Sequence, residues 1–362
     1  MRLRTLTILA VTGAVVLVGG WYFGEHAVPG LPQADSGVLM FPDLAARLQK
    51  AKRIEVVHQG TTLVIEKTGD VWGLLDRGGY KVQVPKLRGL LTGLTELRLI
   101  EPRTDAPAEY SRIGVEDPSG KDAGSTLLRV LDDGGQPIAA LIVGHHRVRT
   151  QGNPPEEVYV RRPDQAQTWL AEGAVQPDAD PVFWLDRAVM NIDHGRIATV
   201  TVARGDAVLA FARRDGKLLL TTPADHPPLD EYRLGEVSRA LELLAFQDVQ
   251  TDAQPVGASI GRSVFATSDS LTVSAVLFAA AEPKPGGATA SAGGDPGAKD
   301  VWVRFEAAGE DNAKTEAEQL SARLQGWTFQ LGSWKERSLA PTLDDLTAPP
   351  QPGPGARQAP KE

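Results

Sequence analysis

Residues 87–114, LRGLLTGLTELRLIEPRTDAPAEYSRIG, return 147 positions later as residues 234–261, LGEVSRALELLAFQDVQTDAQPVGASIG. Identities fall at Leu87/Leu234, Leu94/Leu241 and Leu97/Leu244, at Thr104-Asp105-Ala106 against Thr251-Asp252-Ala253, and at Ile113-Gly114 against Ile260-Gly261. The apolar positions 87, 90, 91, 94 and 97, and again 234, 237, 241 and 244, are spaced by three and four, which puts them on one face of a helix each time. A chain that writes the same helix face, the same corner and the same Ile-Gly pair twice specifies two copies of one unit.

The repetition extends upstream. At a shift of 143 positions Asp43/Asp186, Ala45/Ala188, Arg53/Arg196, Ile54/Ile197 and Val57/Val200 coincide, with Phe41 falling on Trp184. Each unit then opens with an aromatic-x-Asp segment and a strand that starts Arg-Ile. In the first unit, 54–57, 62–67 and 71–75 read as strands, the spacing predicts a helix over 86–97, and strands follow at 126–131, 138–143 and 158–161. Asp133-Gly134-Gly135 marks a hairpin turn. The second unit repeats this with strands at 198–202, 208–212 and 218–221, a helix over 231–246, and strands at 271–278 and 301–305; a polar helix over 311–324 and a strand over 327–331 complete it. A helix with one leucine face and a meander of amphipathic strands bury those faces on one another, so the expected fold class is α+β: an N-terminal transmembrane helix followed by two tandem repeats of a helix packed on an antiparallel sheet. The boundaries read as a signal anchor over 1–24, a tether over 25–40, repeats over 41–180 and 181–347, a disordered loop over 283–299 and a disordered Pro/Gly-rich tail over 348–362.

At 362 residues the chain is long enough for two cores. A net charge of −8 without a basic stripe argues against a nucleic-acid partner held through phosphates. Cysteine is absent, which removes thiolate nucleophiles, thiolate-rich zinc sites and disulfides.

Between Arg4 and Glu25 no residue is charged, and Leu6–Phe23 is almost wholly apolar. As a helix it spans about 27 Å, near the thickness of a hydrocarbon core. Arg2 and Arg4 precede it and Glu25 and Asp35 follow, which predicts a single-pass inner-membrane protein whose N-terminus stays cytoplasmic while the bulk of the chain is periplasmic. The competing reading is a cleaved signal peptide, for which Trp21, Tyr22 and Phe23 are poor residues at a processing site.

Motifs that carry chemistry are sparse. His145 and His146 are adjacent on a strand end and point to opposite faces, so sharing one metal is disfavoured; with Arg147 they read as a polar loop or a partner contact. His58, His194 and His226 stand isolated along the chain. The segment GVEDPSGKD at 114–122 has five residues between its glycines where a phosphate loop has four, and Asp122 stands where Ser or Thr would hold magnesium. Trp184-Leu185-Asp186-Arg187 is the most distinctive tetrapeptide: Trp184 and Arg187 could form a ligand platform, or Trp184 could pack beneath the unit with Asp186 capping a turn. No catalytic residue, cofactor or metal set is expected, and the candidate partner surface comprises Trp184, Arg187, His145, His146 and Arg147.

The order of these signals resembles a known bacterial family. An apolar N-terminal segment, an Arg-Ile strand, a strand carrying Trp72, the leucine helix, Tyr110 followed by Ile113-Gly114-Val115 and Asp117-Pro118, then Trp184-Leu185-Asp186-Arg187 with Arg196-Ile197, are similar to members of the family described as domain of unknown function 4340. Val115 departs from the leucine usual there. The resemblance implies a membrane-anchored exported protein associated with ABC-type transport systems of the gliding-motility kind, in an auxiliary, non-enzymatic binding or scaffolding role. The alternative expectation is a cell-envelope hydrolase or carbohydrate-binding module acting in the groove between the repeats.

Overall fold

The computed structural model describes residues 37–147, 155–280 and 300–348. The expected anchor, the tether up to residue 36, the low-complexity loop and the tail beyond Ala348 lie outside the described residues. Among those described, no helix is long and apolar enough to cross a membrane.

Strands β1 (Val38–Leu39), β2 (Arg53–His58), β3 (Thr61–Thr68), β4 (Val71–Leu74) and β5 (Tyr80–Lys81) precede helix α1 (Val84–Glu96). Strands β6 (Arg98–Pro102), β7 (Thr126–Leu131), β8 (Pro137–Arg147), β9 (Glu157–Arg161), β10 (Thr168–Glu172) and β11 (Ala188–Met190) follow. Next come β12 (Ile197–Arg204), β13 (Ala207–Arg214), β14 (Lys217–Thr222), helix α2 (Glu231–Ser238), β15 (Leu244–Ala245), β16 (Asp248–Thr251), β17 (Ser259–Thr267), β18 (Leu271–Ala279) and β19 (Val301–Gly309). Helix α3 (Lys314–Leu324), β20 (Trp327–Leu331) and helix α4 (Trp334–Leu339) close the described chain, apart from short turns. Helix and antiparallel sheet are thus combined, as an α+β fold requires.

The described residues form two compact units, one drawn from residues 37–64 and 84–179, the other from residues 65–83 and 180–348. The first unit orders its strands β1-β6-β10-β9-β8-β7-β2, continuing into the first half of β3. Its sheet buries one face and part of the other, on which Arg129 and Glu55 meet at an exposed pair. Ile54, Val56, Leu128, Leu141 and Val160 share the first, while Leu127 and Ile142 on the other join Tyr110 and Val115 in a separate apolar cluster. Helix α1 buries Leu87, Leu90 and Leu94, and Leu97 just beyond it is also buried; each such side chain contributes roughly 2 kcal/mol. The β7–β8 hairpin closes where expected: Asp132 O accepts from Gly135 N at 3.1 Å, its Oδ1 accepts from Gly134 N and Gln136 N, and Gly135 takes a φ of 74° that a side chain would disfavour.

The second unit is an eight-stranded sheet, β14-β13-β12-β17-β18-β19-β20-β16, with the small pair β11–β15 beside it in sequence. Alternate residues of β18 and β19 are buried, and α3 folds back on these two strands, its Ser321 hydroxyl donating to Ala307 O at 2.8 Å. Residues 65–83, which sequence order places within the first repeat, belong here by their contacts. Tyr80 sets its ring edge-on to Phe246, Trp327 and Phe329 with centroids 5.3, 4.9 and 6.2 Å away, and Arg77 grips both carboxylate oxygens of Asp248 at 2.6 and 3.0 Å. Burial, with Asp186 adding to it, pushes the Tyr80 hydroxyl well above its ordinary pKa.

The repeated stretch takes different backbones in its two occurrences. Apolar spacing predicts a second helix reaching residue 246, yet α2 ends at Ser238. Leu244 and Ala245 leave to pair with β11, and the chain reaches them through a turn in which exposed Leu243 has a φ of 45°. Leu241 and Leu244 are buried all the same, from a turn and a strand. The Ile-Gly pairs also part company. Gly114, at φ 68°, ends the one-turn helix Tyr110–Ile113, whereas Ile260 and Gly261 lie within β17.

Candidate functional site

The five residues expected at a partner surface fall in both units and have unlike surroundings. Trp184 is fully buried, which corrects its expected place on a surface: an indole without exposure is packing, and its carbonyl accepts from Gln83 N at 2.7 Å. Arg187 is exposed, but its Nε donates to Phe246 O at 2.7 Å while its own carbonyl accepts from Phe246 N, so it splices the start of β11 to the end of β15. Asp186 pairs with Lys81 at 2.8 Å.

His145, His146 and Arg147 are exposed at the end of β8. The His145 ring lies over the turn made by GVEDPSGKD: a Cβ on Gly114 would come within 2.7 Å of it, and one on Gly124 within 3.2 Å of its Nε2. That turn is held from within. Glu116 Oε1 accepts from Gly124 N at 2.6 Å, Asp117 Oδ1 accepts from Ser119 N at 2.9 Å, and the backbone N–H and then the hydroxyl of Ser119 keep the Asp117 carboxyl below the usual carboxylate range. The other oxygen of Glu116 is buried without a hydrogen-bond partner. Arg147 pairs with the nearly buried carboxylate of Glu157 at 3.5 Å.

The second unit places a pocket of about 230 Å³ between β13–β14 and α2. Leu218, Leu219 and Leu234 give it apolar wall; His194, Arg213, Lys217, Glu231, Ser238 and Arg239 supply the polar part. Most of those polar groups hold the fold. Arg213 donates from Nε to Ile197 O and from Nη1 to Gly216 O, each at 2.6 Å, and from Nη2 to the His194 carbonyl and to Ser238 Oγ. Lys217 pairs with Glu231 at 3.1 Å, both side chains largely in solvent. Ser238 therefore accepts from a permanent cation, which does nothing to make it a nucleophile.

On the rim the structure assembles a group that sequence reading left apart. Asp193, His194 and Glu242 each offer a ligand atom, all within 4.8 Å of one another. His194 Nδ1 lies 3.4 Å from the Glu242 carboxylate, Asp193 Oδ1 caps Gly195 N at 2.7 Å, and Arg239 Nε stands 3.6 Å from Glu242. His194 precedes β12 and Glu242 follows α2, 48 residues on; the only sequence signal was an Asp-His-Gly turn, which on its own is common.

Residues 72–259 match the profile of a protein family described as domain of unknown function (DUF4340). No curated protein matches the chain.

Proposed function

The chain belongs to the DUF4340 family, and from that premise we propose a non-enzymatic protein, anchored in the inner membrane by residues 6–23, whose periplasmic part binds or scaffolds a membrane-protein complex such as an ABC-type transporter. One observation carries the binding role. In the second unit, large apolar side chains stand in solvent on or beside the helices: Leu243 is 77% exposed, Tyr232 68% and Trp334 63%, while Arg213 and Ser238 of the neighbouring pocket are engaged in holding its walls. Exposed aromatic and leucine side chains favour protein contact, because covering them returns roughly 25 cal/mol per Å². Leu243 also holds a left-handed backbone that a leucine avoids, and strained, exposed positions of this kind concentrate where a surface is used.

The charge-free run 6–23, with arginines before it and carboxylates after it, supports the anchor and its orientation. Two copies of one α+β unit is the architecture we infer. The order β6-β10-β9-β8-β7-β2-β3 of the first unit has its counterpart in β16-β20-β19-β18-β17-β12-β13 of the second, seven strands in the same sequence of crossings, which supports descent from a single unit.

The test is purification of the full-length protein, tagged at its C-terminus, from gently solubilised membranes, with co-purifying proteins identified by mass spectrometry. Transporter permease and ATPase subunits are expected. They should be lost when Met1–Gly24 is replaced by a cleavable signal and depleted when Tyr232, Leu243 and Trp334 are changed together to Ala. A pure protein without companions, or companions indifferent to all of these changes, overturns the reading.

A further inference from the structure

We infer that Asp193, His194 and Glu242 form a binding site for a divalent transition-metal ion of the zinc class, with an open coordination position. Three structural features lead there. The ligand atoms converge to within 4.8 Å although the residues come from two separate segments. For ligands about 2.0–2.1 Å from a tetrahedral ion, neighbouring ligand atoms lie about 3.3–3.4 Å apart. His194 Nδ1 and Glu242 stand at that edge length, 3.4 Å, already. Asp193 offers the third ligand atom within 4.8 Å of the other two, from a turn that its Oδ1 caps by accepting from Gly195 N at 2.7 Å.

The donor set decides the ion class. One imidazole and two carboxylates suit zinc and its neighbours; an all-oxygen shell would be needed for calcium or magnesium, and thiolates are absent from this chain. Two carboxylates neutralise a divalent charge, and Arg239 beside Glu242 weakens the site, so binding in the micromolar range is expected rather than that of a structural zinc. With three protein ligands the fourth position falls to water or to a ligand atom. His194 also lines the pocket, so that position is within reach of an anionic or carbonyl-bearing group held there. The turn is stiffened for the purpose: Asp193 O accepts from Arg196 N at 3.0 Å, the His194 carbonyl from Arg213, and Asn191 Oδ1 from Leu243 N at 2.9 Å.

The experiment uses the full-length protein in detergent, stripped with chelator and dialysed, titrated with Zn²⁺ by calorimetry and with Co²⁺ by visible absorption. One saturable ion per chain is expected, with cobalt d–d bands of low-symmetry, four- or five-coordinate character. His194→Ala and Glu242→Gln should each weaken binding by about 100-fold or more, since even outer-shell changes cost 10–100-fold. Asp193→Asn, which keeps an oxygen for the Gly195 cap, should weaken it with the fold intact by circular dichroism. His145→Ala/His146→Ala should leave the titration unchanged. Absence of saturable binding, or binding that survives His194→Ala and Glu242→Gln, overturns the assignment.

Discussion

The guanidinium of Arg161 lies 4.7 Å from the centre of the Tyr110 ring, and its Nε donates to Val115 O at 3.0 Å. The side chain is 9% exposed and has carbonyls for partners, those of Pro163 and Gln165 besides Val115. Tyr110 in turn donates to Ala166 O at 2.6 Å. One buried cation from β9 thus pins the segment that covers one face of the first sheet, including the turn beneath His145. Arg161→Met leaves those carbonyls unpaired, and a loss of about 2–3 kcal/mol is expected. Denaturant unfolding would read the loss, and hydrogen exchange should speed selectively at Val115 and Gly124; equal stability with unchanged exchange would refute the pinning role.

Helix α1 contains two glycines with opposite expectations. A Cβ on Gly89 would meet nothing within 4 Å, so Gly89→Ala should stabilise by up to about 1 kcal/mol through helix propensity. A Cβ on Gly93 would run into the backbone oxygen of Ala174, so Gly93→Ala should destabilise by about 1–3 kcal/mol despite the same propensity gain. Thermal unfolding of the pair checks both, and a stabilised Gly93→Ala protein would show that the close approach is not maintained.

That contrast shows how far the sequence could be read. Leucine spacing announced α1 because a solvent-facing helix must keep its apolar residues on one side, and the Asp-Gly-Gly turn announced β7–β8 because the left-handed backbone there needs glycine. The same reading overran α2, since Leu241 and Leu244 satisfy burial equally well from a turn and a strand. Strand β17 is poorly announced by its sequence because Gly261, Arg262 and Ser263 interrupt the apolar alternation. The grouping of Asp193 and His194 with Glu242 was illegible for a related reason: spacing along the chain carries no information about which loops a sheet brings to one end. Trp184 was the clearest ambiguity, an aromatic residue equally suited to a platform or a core, and the core holds it.

Arg196 joins the start of β12 to two acidic partners, Glu316 of α3 at 2.6 Å and Asp269 at 2.8 Å. The Thr267 hydroxyl, followed by Arg196, holds the Asp269 carboxyl below the usual carboxylate range. A carboxylate whose folded pKa is depressed contributes stability above its unfolded value of about 3.9, and that contribution is lost as pH falls through the folded pKa. Asp269→Asn should therefore lower stability at pH 7 by less than about 1 kcal/mol, the site being half-exposed and screened, and the two proteins should converge under acid. Urea midpoints across the acid limb provide the check, and a difference that persists at the lowest pH would assign the effect to packing.

Lys335 presents the opposite sign. It is 9% exposed on α4, its Nζ donates to Ala240 O at 3.3 Å and lies 4.8 Å from the Trp334 ring centre, and no carboxylate pairs with it among the described residues. Burial lowers its pKa, with Glu236 pulling weakly the other way. The unfolded amine keeps its proton up to about pH 10.4, so between the folded pKa and that value the unfolded state binds more protons and stability rises with pH. Below the folded pKa the amine is charged in both states, and the cost of burying it is fully present. Lys335→Met removes that cost while keeping the apolar stem, and should stabilise at neutral pH by about 1 kcal/mol or more. The advantage should shrink as pH is raised, because the parent sheds its buried charge and the variant has none to shed. Chemical unfolding of both proteins from neutral to alkaline pH decides it: a Met variant less stable at pH 7 would mean that the bond to Ala240 and the contact with Trp334 outweigh the desolvation of the ammonium.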